Sequence, residues 1–453
     1  MTTSDPDIAI IETSSLGDRS YLISHEGIAV VVDPQRDIDR VDAVAKDKGA
    51  RITHVLETHI HNDYVTGGLE LARATGAEYI VPEGDPVEYE CREVADGDVI
   101  DVGSMSVQVM HTPGHTHHHV SYVLRVGDGD PVAVFTGGSM LFGSTGRTDL
   151  LGSEHTDELT HAQFHSVRRL ASELPSDTHV YPTHGFGSFC AATPTTGDSS
   201  TIAEQQESNP ALTQDEQTYV DTLIAGLGAY PAYYAHMGVI NTKGAPPVDL
   251  SMPEPVDTTE LRRRIDAREW VVDLRSRTAF AAGHLDGSLG FELSTTFITY
   301  LGWLYQWGAP LTLIGDNPDD ILDATRELAR IGVDSPSGSA VGDVRTLSGD
   351  RPVRSYEVSD FAGLTKHLSD GDLVVLDTRQ PDEYEAGHVR EAVNIPLPGL
   401  TESLHDVPDG TVWVHCASGY RASIAASILD RAGRTVVLID DNYDEAAELG
   451  LEG

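Results

Sequence analysis

The chain has 453 residues, 40% of them apolar, and sets 30 Lys and Arg against 72 Asp and Glu for a formal net charge of −42. That length exceeds one ordinary core and points to about three domains. The charge excludes nucleic acid and anionic membrane surfaces as partners. Acid spread along a whole chain repels itself in dilute buffer and is screened once molar salt shortens the Debye length to about 3 Å, so a halophilic protein is expected.

No apolar run reaches the roughly 18 residues that span a bilayer, and "MTTSDPDIAI" has neither a basic leader nor an apolar signal core, which predicts a cytoplasmic protein. Three cysteines, Cys91, Cys190 and Cys416, are odd in number and far apart, so no disulfide framework is expected.

In chain order, "DIAII", "SYLIS", "IAVVVD" and "HVLET" read as short β-branched strands. A polar helical segment, "DIDRVDAVAKDKGA", precedes "HVLET", and a second, "LELARATGA", follows the loop "THIHNDYVTGG" at 58–68. "SVQVMH", "HVSYVLRV" and "VAVFTG" continue the strands, then a helix near 157–174, then "THVYPTH". The pattern is a mixed α/β domain with histidine-bearing loops at strand ends. "AATPTTGDSS" reads as a polar loop and "GAPPVDLSMPEP" as a linker, closing the first domain near residue 250.

Beyond the linker the chain repeats itself. "VVDLRSRTAFAAGHLDGSLGFEL" at 271–293 matches "VLDTRQPDEYEAGHVREAVNIPL" at 375–397, pairing Asp273 with Asp377, Arg275 with Arg379, Phe280 with Tyr384 and His284 with His388. Two homologous α/β domains are predicted, over 254–345 and 353–453. In the second, "TVWVHCASGYRASIAASILDRAG" runs a strand into Cys416, a loop of small residues, Arg421 and a helix. Such a turn aims backbone amides and a helix N-terminus at the sulfur, with Arg421 as a fixed cation.

Both repeats resemble rhodanese domains, sulfurtransferases that carry sulfane sulfur as a cysteine persulfide. "CASGYR" is similar to the family's active loop, with four residues between Cys416 and Arg421 where related phosphatases have one more. The resemblance makes Cys416 and Arg421 catalytic, gives substrate binding to Ala417, Ser418, Gly419 and Tyr420, and assigns Asp377, Arg379 and His388 to the framework. The first repeat continues "PLTLI" with "GDNPDD" and has no cysteine, so a scaffold or docking role is expected.

The N-terminal loops supply His59, His61 and Asp63 from "THIHND", His115 from "HTPGHTHHH" with His111, His117, His118 and His119 as neighbours, and His184 from "VYPTHG". Imidazoles with a carboxylate suit Zn or Fe(II). The arrangement resembles the metallo-β-lactamase superfamily, in particular the branch fused to rhodanese domains that includes persulfide dioxygenases, on "THIHNDYVTGG", "HTPGHT", "FTGGSMLFGSTGRTDL", "VYPTHG" and "ESNPAL". It implies an αββα sandwich followed by two rhodanese-like domains, and one metal ion, Fe(II) favoured over Zn.

By that resemblance His59 and His115 match ligands, while Gly138 stands where an aspartate is expected and Tyr64 where a second-metal histidine is. A single metal is then expected, completed from His61, Asp63, His184 or water, with Asp149 as a supporting carboxylate. The implied activity is persulfide oxygenation coupled to sulfur transfer on a small thiol persulfide or thiosulfate. The alternatives are a glyoxalase II-like thioester hydrolase, or a metal-free carrier in which only Cys416 works. Cys190 follows the His184 loop and could face the same pocket, Cys91 reads as a packed thiol, and homo-oligomerisation is left open.

Overall fold

Strand alternation builds the N-terminal core. In the computed structural model, which describes residues 5–195, 197–369 and 371–453, Tyr21, Ile23, Val30 and Val32 face one side of their sheet and Leu22, Ala29 and Val31 the other. Both faces are apolar, so both are covered. The first four residues of "MTTSDPDIAI" and Thr196 of "AATPTTGDSS" lie outside the described residues.

Strands β1 (Asp7–Thr13), β2 (Asp18–His25), β3 (Ile28–Val32), β4 (Arg51–Leu56), β5 (Glu78–Pro82) and β6 (Arg92–Val94) form one sheet in chain order. It is antiparallel up to β3 and parallel from there on. The second sheet runs from β7 (Val99–Val102) through β8 (Met105–His111) and β9 (Val120–Val126) to β10 (Ala133–Gly137), then to the strands His179–Pro182 and Ser200–Thr201. The inner faces meet in one core, Tyr21, Leu56 and Ile80 against Val107, Tyr122 and Phe135. Helices Asp39–Asp47 and Gly68–Thr75 cover the outer face of the first sheet, and Thr156–Glu173 with Glu216–Gly226 that of the second. The result is the expected αββα sandwich. The loops after β3, β4 and β8 and after His179–Pro182 carry the polar residues that converge.

The chain divides into two compact units, Met1–Asp249 with Leu328–Gly332, and Leu250–Glu327 with Val333–Gly453. The repeats thus share a unit, though each has its own sheet. The first is parallel, ordered Leu289–Gly290, Trp270–Asp273, Leu311–Gly315, Gly338–Val341. The second is parallel with Thr411–His415 central, between Thr435–Ile439 and Leu373–Asp377.

Register aligns the repeats residue by residue. Asp273 pairs with Ile314 and Asp377 with His415, so Gly315 occupies the place that Cys416 holds in the second repeat. Among the described residues no helix is long and apolar enough to cross a membrane.

Candidate metal centre and sulfur site

Asp33, at the end of β3 with φ of 50°, accepts both the Thr58 amide and the Thr58 hydroxyl at 2.7 Å. That hydroxyl proton is therefore spent, and the Thr58 oxygen is left to accept from His59 Nδ1 at 2.9 Å. His115 Nδ1 donates to the Arg147 carbonyl at 2.7 Å, and Arg147 is itself held by Asp149 through contacts of 2.7 and 2.8 Å. His184 Nδ1 lies 3.0 Å from both Asp18 Oδ1 and Asp63 Oδ2. Each of the three rings thus commits its Nδ1 proton to an acceptor and turns Nε2 inward, the arrangement by which outer hydrogen bonds fix metal-binding tautomers.

The inward atoms converge. His59 Nε2 and His184 Nε2 are 3.2 Å apart, His115 Nε2 is buried without a partner, and ligand atoms of the three residues lie within 4.8 Å of one another. All three are fully buried. Burial, then neighbouring imidazoles, holds His59 well below its ordinary pKa and His115 down at about 3, which keeps them neutral as ligands must be. Burial also opposes charge on His184, but Asp63 and Asp18 outweigh it and raise the group to about 10. The two carboxylates supply negative charge that a cation at Nε2 satisfies as well as a proton does. These residues fit one metal ion.

His61 and Asp63 take supporting places. His61 Nε2 faces Tyr64 Oη at 3.0 Å, Asp33 Oδ1 at 3.3 Å and Glu57 Oε2 at 3.4 Å. Tyr64 stacks on the ring at 4.3 Å and also donates to the Asp33 carbonyl at 3.3 Å. Against the cost of burial, Asp33 and Glu57 raise His61 to about 9. The tyrosine therefore fills the second-metal position with a phenol bonded to His61, whose Nδ1 stays unpartnered. Asp63 gives Oδ2 to His184 and keeps Oδ1 unpaired, so His61, Asp63 and His184 are also mutually within reach of one ion.

At Gly138, a β-carbon would lie 2.3 Å from His115 Cδ2, so the His115 ring holds the space an aspartate would need. His184 brings a third imidazole within 4.8 Å of the ligand atoms of His59 and His115. His119 spends Nε2 as acceptor for the Gly138 amide at 3.0 Å and is no ligand. His111, His117 and His118 are not fully buried and stand outside the cluster. Cys190 is buried 3.9 Å from Tyr234 Oη, with burial and then Asp63 pushing its thiol well up. Cys91 packs against the outer core of the first sheet.

Sequence reading missed Asp18, Asp33 and Glu57. None sits in a metal-like spacing, and Asp18 reaches His184 only because the Arg19 amide bonds to the Thr183 carbonyl at 2.8 Å.

In the second unit, Thr411–His415 delivers Cys416, which is 2% exposed. The loop is shorter than expected: Gly419 turns it at φ of 84° and the helix Tyr420–Arg431 begins at once, so Arg421 lies in the first helical turn. The Ser423 amide bonds to the Gly419 carbonyl at 2.9 Å, and the amides before it have no acceptor within the helix. None among the described residues donates to Cys416 Sγ, so the expected ring of amides on the sulfur is not formed. Arg421 is not an isolated cation either. Glu383 grips it at 2.5 and 2.8 Å, leaving part of the guanidinium fork for other acceptors.

The framework residues behave alike in both repeats. Arg379 clamps Asp377 at 2.6 Å and the Gly387 carbonyl at 2.8 Å, as Arg275 does Asp273 and Gly283 at 2.6 and 2.8 Å. His388 bonds to the Tyr384 carbonyl at 3.0 Å and His284 to that of Phe280 at 2.9 Å.

Comparison with known proteins agrees with both halves. The metallo-beta-lactamase superfamily matches residues 18–185 and the rhodanese-like domain residues 361–448. The mitochondrial persulfide dioxygenase ETHE1 of Homo sapiens is 30% identical over 210 residues, 46% of this chain and 74% of that protein. A hydroxyacylglutathione hydrolase of Xanthomonas campestris pv. campestris is 31% identical over 252 residues, 54% of this chain and 92% of its own length. The crystal structure of a metallo-beta-lactamase from Staphylococcus aureus subsp. aureus COL superposes with a TM-score of 0.67 at 29% identity, covering 75% of this chain and all of that one. The chain belongs to the metallo-beta-lactamase superfamily, and it carries a rhodanese-like domain behind that fold.

Proposed function

We propose that the protein handles sulfane sulfur, with an Fe(II)-dependent persulfide dioxygenase centre at His59, His115 and His184 and a sulfurtransferase centre at Cys416. The observation that carries the first half is the convergence of His59 and His184 Nε2 at 3.2 Å beside the unpartnered His115 Nε2. The metal, when bound, supplies activation of dioxygen next to a thiol persulfide. Asp18 and Asp63 hold the His184 tautomer, Thr58 that of His59, and the Arg147 carbonyl that of His115. Full burial of the three rings keeps bulk water from their inward nitrogens.

At the second centre the sulfur of Cys416 attacks the sulfane sulfur of thiosulfate or of a small thiol persulfide. One S–S bond forms, the donor's own S–S bond breaks, and sulfite or thiolate leaves with the electron pair. The first-turn amides of Tyr420–Arg431 and the free part of Arg421 stabilise charge on the terminal sulfur. Ala417, Ser418, Gly419 and Tyr420 line this loop in the same reading. We place the active sulfurtransferase domain at 353–453 and the cysteine-less one at 254–345, and take the compartment to be cytoplasmic.

Metal analysis of the purified full chain with oxygen uptake on a thiol persulfide, in high salt, tests the first half. Iron near one per chain with uptake is the expected result. Zinc with thioester hydrolysis would instead support the hydrolase reading, which likeness to hydroxyacylglutathione hydrolases favours and the lack of a carboxylate at Gly138 opposes. No bound metal and no uptake leaves a carrier. Thiosulfate:cyanide transfer that survives Cys416→Ser overturns the second half.

A further inference from the structure

The repeat without a cysteine packs its own residues around the loop that has one. Arg277 bonds to Glu292 at 3.0 Å and to Asp440 at 2.7 Å, and Asp440 in turn closes on Gly419, where a β-carbon would meet its Oδ1 at 2.1 Å. Tyr420 donates to the Glu292 carbonyl at 2.7 Å. The helix Phe297–Leu304 buries Phe297, Ile298 and Leu301 and turns Tyr300 the other way, with its ring 5.7 Å from that of Tyr420.

Tyr300 is half-buried, yet its hydroxyl donates to no acceptor among the described residues. A phenylalanine would pack as well, and the hydroxyl, which is not buried, is open to a ligand. Burial raises its pKa, and beyond burial the groups that act on it are Arg421, Cys416 and Glu383, the members of the sulfur site. Because Glu383 already takes two of the Arg421 donors, this phenol is an uncommitted neutral donor beside the loop.

We propose that Tyr300 is a substrate-binding residue of the Cys416 site, its hydroxyl donating a hydrogen bond to the leaving end of the sulfur donor, the sulfonate of thiosulfate or the thiol-derived sulfur of a persulfide, which departs as thiolate. The inference rests on the sulfurtransferase reading above. When Cys416 takes the sulfane sulfur of thiosulfate, the departing sulfite carries the electron pair of the broken S–S bond, and a fixed O–H donor stabilises it as charge develops. The cysteine-less repeat is then half of the active site.

The test compares the full chain with Tyr300→Phe and Cys416→Ser in thiosulfate:cyanide transfer at high salt. Loss of one hydrogen bond to a charged group predicts a fall of about tenfold or more in kcat/KM for thiosulfate. The value for cyanide, which meets the enzyme after sulfite has left, stays unchanged, and the unfolding midpoint also holds because the hydroxyl has no protein partner. Thiosulfate binding to Cys416→Ser, measured with and without Tyr300→Phe, also weakens, by no more than that factor, because the bond to the sulfonate strengthens only as the sulfite departs. Equal kcat/KM for thiosulfate, or equal loss for both substrates, overturns the proposal. Transfer that persists in Cys416→Ser overturns the sulfurtransferase reading itself, whatever Tyr300→Phe does.

Discussion

A β-carbon at Gly138 would lie 2.3 Å from His115 Cδ2 and 2.6 Å from Cγ, and one at Gly146 would lie 2.7 Å from Nδ1 of the same ring. His115 is thus clamped between two glycines, and Gly138→Asp does not restore a carboxylate ligand but drives the ring away. Overpacking of this kind costs about 1–3 kcal/mol, and metal retained per chain after desalting is expected to drop severalfold. A variant that holds metal as well as the parent would contradict the proposed set of His59, His115 and His184. His184→Ala and His119→Ala separate the proposed ligand from its neighbour. The first loses the metal outright; the second keeps it, since His119 Nε2 is occupied by the Gly138 amide at 3.0 Å, at a stability cost of about 1–3 kcal/mol for the amide left unpaired.

Between elements, the strongest test falls on the helix Tyr420–Arg431, where Asp430 meets His284 at 3.0 Å and Arg354 at 2.6 Å. Burial raises the Asp430 carboxyl, but the His284 hydrogen bond and Arg354 more than reverse this and leave it below its ordinary value. Its ionised form therefore adds stability above the unfolded carboxyl's pKa of about 4, and the gain fades as pH falls through the lower folded value. Asp430→Asn is expected to cost about 1–3 kcal/mol at neutral pH, with the difference from the parent closing on acidification. All four tryptophans, Trp270, Trp303, Trp307 and Trp413, lie in the C-terminal unit, so their fluorescence in urea reports this unit alone. A gap that widens below pH 4 would contradict the assignment. The same elements show what a sequence can reveal. The Asp-x-Arg clamps and the Ala-Gly-His turns repeat at fixed spacing, and their partners lie within the motif, so they were legible. Glu383 reaches Arg421 across 38 positions and Asp18 reaches His184 across 166, contacts made by tertiary packing that no local pattern encodes. Gly138 was legible as a missing carboxylate, but which imidazole comes within 4.8 Å of His59 and His115 depended on where the His184 loop lands.

Over the whole molecule the governing quantity is the charge of −42. Local pairing absorbs little of it, because 30 basic residues cannot offset 72 acidic ones, and acids such as Asp98, Asp101, Asp128 and Asp130 stand exposed. Exposed pairs, among them Lys46 with Asp42 at 2.6 Å, contribute about 0–1 kcal/mol each and weaken with salt. Repulsion among unpaired acids weakens with salt too, and is the larger sum here. The Debye length falls from about 10 Å at 0.1 M to about 3 Å at 1 M, so the urea midpoint is expected to rise across that range of KCl. Near-ultraviolet dichroism, to which the tyrosines of both units contribute, should rise in parallel with the tryptophan signal in a chain with bound metal. KCl is the useful salt because chloride is not strongly excluded from protein surfaces as sulfate is, which isolates screening from the general strengthening of apolar burial. Midpoints that stay flat from 0.1 to 1 M KCl, or that rise only in sulfate, would show that self-repulsion does not limit this fold.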